Sequence, residues 1–202
     1  MSAIGLLLAG GRSRRLGQDK ALLSLANGHS MLAHSGTLLQ QTCEYCYWAP
    51  GAREDLAAPQ GWTRVEDDPA ISGPASPLLR FAAEWSGDFP QADGLLLLAV
   101  DQPCLEVSHL QMLQAQGESV LAESADGRVA LPAWILLADL AKLRPQPPAQ
   151  PRLMATLQSV CRRRVKLPTA SCGLPATFNL NTPDDLQRYL EHCRAPGHDP
   201  AC

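Results

Sequence analysis

Leu6-Leu7-Leu8-Ala9-Gly10-Gly11-Arg12-Ser13-Arg14-Arg15-Leu16-Gly17-Gln18-Asp19-Lys20 is an apolar run, begun at Ile4, that breaks into a glycine pair and then a basic loop. An apolar stretch resumes at Ala21. A buried strand that ends in a glycine turn brings bare backbone N–H groups against a polyanion, because no Cβ keeps the ligand away. The cations at 12, 14, 15 and 20 can then neutralise phosphate oxygens, arginine through forked hydrogen bonds and lysine as a point charge. The spacing is neither the P-loop pattern, which closes on Gly-Lys-Ser/Thr, nor the dinucleotide Gly-x-Gly-x-x-Gly. It reads as a site for a nucleoside triphosphate.

Outward from this loop, strand-like runs alternate with helical patterns, which argues for βαβ units and a mainly parallel sheet. Strands are expected at Ala3 to Leu8, Tyr45 to Trp48, Thr63 to Glu66, Gly94 to Val100, Val120 to Ala122 and Ala133 to Leu137. Between the last two, Asp126-Gly127 predicts a turn. Helices are expected at Ser30 to Gln41, Arg53 to Ala57, Pro77 to Trp85, Ser108 to Gln116 with Ser108 as cap, Leu153 to Arg163, and Pro183 to Cys193. Pro145 to Pro151 reads as a stiff linker and Ala195 to Cys202 as a fraying tail. Residues 1–194 are therefore expected to form a single domain.

The 202 residues suffice for one sizeable core, and 46% apolar with 18% charged is a globular balance. A net charge of −3 gives no bulk attraction to nucleic acid, so the positive charge is local to the loop. The N-terminal apolar run lacks a basic lead and is too short for a signal peptide, and no stretch reaches membrane-spanning length. A cytoplasmic location, no nucleic-acid partner and no membrane partner are the expectations. Seven cysteines, an odd number at irregular gaps, fit a reducing compartment. Cys43 and Cys46 form a Cys-x-x-Cys without a second pair at zinc-ribbon spacing, and the five histidines are scattered.

In an open α/β sheet, ligands bind beyond the carboxyl ends of the strands. Asp101 stands there, after the run Leu95-Leu96-Leu97-Leu98-Ala99-Val100. One carboxylate at that place can hold Mg²⁺, which keeps several waters and bridges substrate phosphates; a turn-forming Asp is the other reading. Glu66-Asp67-Asp68 follows another strand, where Asp67 can meet a ribose or base or simply stand in a solvated acidic loop. Near the C-terminus, Asn179 and Asn181 alternate around Leu180 and so share one side of an extended segment. Thr182-Pro183 then opens a helix with acids in its first turn.

Together these segments resemble the nucleotidyltransferase family that includes the molybdenum cofactor guanylyltransferase MobA. Its opening signature, Leu-Ala-Gly-Gly-x-x-x-Arg-Met-Gly-x-Asp-Lys, is similar to Leu8 to Lys20, with Leu16 at the Met position. Asp67, Asp101-Gln102-Pro103 and Asn179 to Pro183 match later landmarks, and the similarity runs from about residue 3 to 192. The resemblance implies a Rossmann-like α/β three-layer sandwich, with a mostly parallel sheet and helices on both faces. It implies a Mg²⁺-dependent transfer in which the phosphate of molybdopterin attacks the α-phosphate of GTP and pyrophosphate leaves. Arg15 and Lys20 would hold the β- and γ-phosphates, and Asp101 the metal. Leu8, Ala9, Gly10 and Gly11 would run along the nucleotide, Asp67 would serve it, and Asn179 and Asn181 would meet the acceptor. A client molybdoenzyme or its chaperone would receive the product.

Three positions depart from the family pattern. Gly73-Pro74-Ala75-Ser76-Pro77 stands where the family has Gly-Pro-Leu-Ala-Gly, Leu131-Pro132 where it often has His-Pro, and Ala49 where an Asn is expected. Gln102 is similar to the Asp-Gln-Pro of sister cytidylyltransferases, although Ala9-Gly10-Gly11 differs from their Ala-Ala-Gly. Transfer from CTP, transfer to another small acceptor, and nucleotide or cofactor binding without turnover remain alternatives.

Overall fold

A computed structural model describes residues 2–11, 15–84, 89, 91–144 and 151–193. Arg12 and Arg14 of the basic loop, Trp85, most of the 145–151 linker and the 195–202 tail lie outside them. The chain runs β1 (Ser2–Leu8), α1 (Met31–Thr42), β2 (Tyr45–Ala49), β3 (Thr63–Arg64), α2 (Ser76–Glu84) and β4 (Ala92–Ala99). It continues α3 (Val107–Gln114), β5 (Val120–Glu123), β6 (Val129–Leu136), α4 (Leu137–Leu140), α5 (Leu153–Gln158), β7 (Arg163–Lys166) and α6 (Pro183–Cys193).

One seven-stranded sheet forms in the order β3-β2-β1-β4-β6-β5-β7. β1 lies between β2 and β4, parallel to both, and β2–β3 and β5–β7 are parallel pairs. β6 alone runs against its neighbours β4 and β5. This is the mostly parallel α/β sheet that the alternation predicts. The two central strands are apolar at nearly every position because helices cover both faces. Ala3 and Leu7 of β1 and Leu96 and Leu98 of β4 join one core with Met31 and Leu39 of α1, Leu110 of α3 and Tyr189 of α6. Ile4, Leu6, Leu95 and Leu97 point the other way, into a core with Leu78 and Leu79 of α2, Leu140 of α4 and Leu157 of α5. Two cores with a sheet between them give the three layers.

Local chemistry explains the helix ends. Ser30 caps α1 by accepting from Ala33 N at 3.1 Å. At α3 the cap is Glu106 rather than the expected Ser108, since Glu106 N donates to His109 Nδ1 at 3.1 Å in a reciprocal box. No helix forms over 53–57, where Arg53 is drawn into ion pairs with Asp19 and Asp55. The helix expected at 153–163 stops at Gln158, and Arg163–Lys166 becomes an edge strand on β5. Its largely exposed, charged side chains give no apolar alternation, and charge is what keeps an edge from pairing further. Pro77 falls in the first turn of α2, where a missing N–H costs little. Pro77 therefore fits the helix that stands there.

Gly94 of β4 pairs with Leu136 of β6, and the Trp134 ring reaches over it. A Cβ would lie 2.6 Å from Ile135 O and 2.7 Å from the Trp134 ring, and the carbonyl cannot swing aside. Gly94→Ala is expected to destabilise the fold by about 1–3 kcal/mol or more, the cost of overpacking. Denaturant midpoints of the two proteins measure it.

Candidate active site

The register Leu8↔Ala99 ends β1 and β4 side by side, and Val100 N donates to Leu8 O at 3.0 Å just beyond. The chain leaves β1 toward β2 on one side and returns to β4 on the other, so this edge is the topological switch point where open α/β sheets bind ligands. Gly10 packs against the next loop: a Cβ there would meet Gly51 N at 3.4 Å. Gly11 has φ +109°, a conformation that side chains rarely adopt. Beneath the charged surface of the loop, Leu16, Ala21 and Leu25 are buried. Apolar anchors thus hold the described part of the loop, Arg15 to Lys20, in place.

A cavity of about 340 Å³ opens at this edge, lined by Leu8, Ala9, Gly10, Gly11, Arg15, Lys20, Asp101 and Asn181. Lys20 Nζ lies 3.5 Å from Asp101 Oδ2 and donates to Asn181 Oδ1. Leu180 N donates to Asp101 O at 2.9 Å, which ties the Asn segment to the end of β4. Asp185, in the first turn of α6, accepts from Asn181 N at 2.9 Å and from Thr182 N and Oγ1 at 2.8 Å. Burial pushes the Asp185 carboxyl up, but these hydrogen bonds and the Lys20 charge outweigh it and hold it below the ordinary range.

Arg53 also lines this cavity, its guanidinium gripping Asp19 and Asp55. The Arg53 bond holds the Asp19 carboxyl below its usual range, against burial and with help from Ala21 N. Asp19 therefore pins the turn that presents Lys20. Asp67 lines neither this cavity nor its neighbour; its carboxylate stands beside Gly51, 3.6 Å from the position of a Cβ there. Burial raises the Asp67 carboxyl, and the charge of Glu66 adds to the effect.

A wider cavity of about 870 Å³ adjoins the first. Asp101 and Leu131 border both, and Asn179, Arg128 and Arg152 belong to the wider one. The two asparagines thus line neighbouring cavities on one rim. Gln102, buried behind Asp101, donates from Nε2 to Leu131 O at 2.5 Å and braces β4 against β6. Sequence reasoning missed Arg53, Arg128 and Arg152. Arg53 follows a strand end and was within reach of the same edge logic; the other two come from a hairpin and a post-linker turn, and only the fold brings them here.

Among the described residues no group of three or more His, Cys, Asp or Glu could hold a metal ion. Asp101 is a single hard carboxylate, partly exposed to the cavity, the donor that suits Mg²⁺ held largely by phosphates and water. Cys43 and Cys46 carry thiols that burial pushes up, to about 12 and about 11, which suits neither metal binding nor redox attack. No helix among the described residues is long and apolar enough to cross a membrane.

Glycine backbone, cations and the Asp101 carboxylate converging on the switch point of a mostly parallel sheet define a nucleotide-binding α/β domain. Residues 5–166 match the MobA-like NTP transferase domain, and the chain belongs to that family. It is 36% identical to a probable molybdenum cofactor guanylyltransferase of Synechococcus elongatus over 64% of the chain and 66% of that relative. The chain thus spans about two thirds of that relative's length. A molybdenum cofactor guanylyltransferase of Rhizobium johnstonii is 31% identical over 95% of the chain and 94% of its own length. Molybdopterin-guanine dinucleotide biosynthesis protein A of Archaeoglobus fulgidus shares the fold, with a TM-score of 0.64 at 19% identity over 94% of this chain and 98% of that one.

Asp185→Ala leaves two N–H groups of the Asn segment without their acceptor, a loss of about 1–3 kcal/mol. Because the folded value of Asp185 is depressed below 3.8, its stabilisation is full above that pH and fades as pH falls through the folded value. The gap between the unfolding midpoints of the two proteins is expected to be widest near neutrality and to close in acid.

Proposed function

We propose that this chain transfers GMP from GTP to the phosphate of molybdopterin and releases pyrophosphate. The observation that carries the reading is that Lys20 and Asp101, from opposite sides of the β1–β4 edge, share one cavity with the Gly10-Gly11 backbone. The names of the curated relatives support guanylyl transfer and a molybdenum cofactor acceptor. In the reaction an acceptor phosphate oxygen bonds to the α-phosphorus. The bond from that phosphorus to the bridging oxygen breaks, and the electron pair leaves with pyrophosphate.

In this reading Arg15 and Lys20 neutralise the β- and γ-phosphates of the leaving group, while Leu8, Ala9, Gly10 and Gly11 offer backbone along the nucleotide. Asp101 would hold Mg²⁺, which supplies positive charge where the α-phosphate develops negative charge. The contact of Lys20 with Asp101 and Asn181 keeps the ammonium aimed into the cavity until phosphate oxygens compete for it. Asn181 acts beside the phosphates and Asn179 on the acceptor side, in the wider cavity. Asp67 serves the ribose or base from the neighbouring loop. Such catalysis is positioning plus charge neutralisation.

Pyrophosphate release with Mg²⁺, GTP and molybdopterin tests the reading. Lys20→Ala and Asp101→Ala are each expected to lower the rate by about 10²–10³-fold, as loss of an electrostatic group in a preorganised site does. Near-normal turnover by Asp101→Ala removes Asp101 from the mechanism. Competition among GTP, CTP, ATP and UTP is expected to favour GTP, and a preference for CTP would make the chain a cytidylyltransferase. Nucleotide binding without any pyrophosphate release would make it a binding protein.

A further inference from the structure

Behind the site, on the face covered by α1, α3 and α6, stands a thiol cluster that the proposed reaction does not use. Cys104 lies three residues beyond Asp101, and Cys172 precedes Asn179 by seven. Both are almost fully buried, and their Sγ atoms lie 3.5 Å apart. Cys193, at the end of α6, is half-buried, and its thiol hydrogen-bonds to Cys172 and to Tyr189. We propose that Cys104 and Cys172 are an oxidisable dithiol that closes to a disulfide, with Cys193 as the thiol through which a small hydroperoxide enters.

The local chemistry favours this pair over the other cysteines. The Cys104 hydrogen bond lowers the Cys172 thiol to about 6 against the effect of burial, and Leu174 N and Cys193 add to it. Burial instead pushes Cys43 and Cys161 up to about 12. The steps balance. The Cys193 thiolate attacks a peroxide oxygen; an S–O bond forms, the O–O bond breaks and, with hydrogen peroxide, water leaves. The Cys172 thiolate attacks the Cys193 sulfur and expels hydroxide, which leaves as water. Cys104, its proton lost to solvent, then attacks the Cys172 sulfur and restores the Cys193 thiolate. Two thiols give two electrons and one peroxide accepts them.

Closure contracts the sulfur separation from 3.5 Å to about 2.0 Å. Side-chain rotation takes up part of the difference, and the main-chain share falls on the loop that carries Asp101 and the segment that leads to Asn179 and Asn181. These segments already meet through the hydrogen bond from Leu180 N to Asp101 O, so a shift in one is passed to the other. The expected result is a slower transfer reaction in the oxidised chain. That consequence rests on the function proposed above; the cross-link itself does not.

The full chain, reduced and desalted, is treated with hydrogen peroxide, alkylated under denaturing conditions, digested and mapped by mass without reduction. A Cys104–Cys172 linked peptide that dithiothreitol reverses is expected, and Cys193→Ser is expected to give the same peptide more slowly. Full alkylation of Cys104 and Cys172 after peroxide overturns the proposal, as does a final cross-link between any other pair. An unchanged rate in Cys193→Ser removes the entry role. In the transfer assay the oxidised chain is expected to lose on the order of 10²-fold in rate, as misplacement by about 1 Å does, and to recover it with dithiothreitol. Cross-linking without a change in rate overturns the coupling to the site. A reduced chain that turns nothing over counts against the transferase reading and leaves the mapping result standing.

Discussion

The pairing of β1 with β4 is the constraint on which the rest of the molecule depends. Leu8 opposite Ala99 ends both strands at one level, and Val100 N on Leu8 O carries the alignment one residue further. A slip of one residue would exchange the faces of every side chain on β4 and send Leu95 and Leu97 into the wrong core. Both cores therefore hold the register, and the register in turn sets how far Asp101 stands from the glycine loop. The precision of the cavity is borrowed from apolar packing on both faces of the sheet.

Charge is arranged with the same economy. Lys20 meets Asp101 and Asn181, Asn181 N meets Asp185, and Asp185 belongs to the first turn of α6. On the other flank Arg53 holds Asp19, whose neighbour is Lys20. Lys20, Asp101, Asp19 and Arg53 are thus each steadied by a neighbouring group, which limits the reorganisation a charged ligand would require. Below the surface, Leu16, Ala21 and Leu25 tie the segment that carries Lys20 to the core.

Much of this is legible in the residues. The apolar runs of β1 and β4, the glycine pair and Asp101 are each marked by a change of composition at a strand end, and position along the sheet follows from connection order. Legibility fails where pairing decides the outcome. Arg163-Arg164-Val165-Lys166 is a strand only because β5 offers it a free edge, and Arg53 to Ala57 loses its helical option once Arg53 is held by two carboxylates. Asp185 shows a third kind of failure. Its place in a helical first turn is sufficient reason for an acid, and so conceals the main-chain contacts that shape the Asn segment. Arg128 and Arg152 carry no local signal; distant turns deliver them to the wider cavity.

The reversed direction of β6 has an architectural consequence. A parallel strand beside β4 would add another carboxyl end to the rim, followed by another crossover. β6 instead presents its beginning, so Leu131 enters from a short hairpin whose turn is closed by Ser124 N on Arg128 O at 2.8 Å. A hairpin tip can lengthen, shorten or change composition without disturbing the strands that carry it. The rim thus joins a rigid half to an adjustable one: the glycine-loop side is built into the centre of the sheet, and the opposite wall hangs from a hairpin.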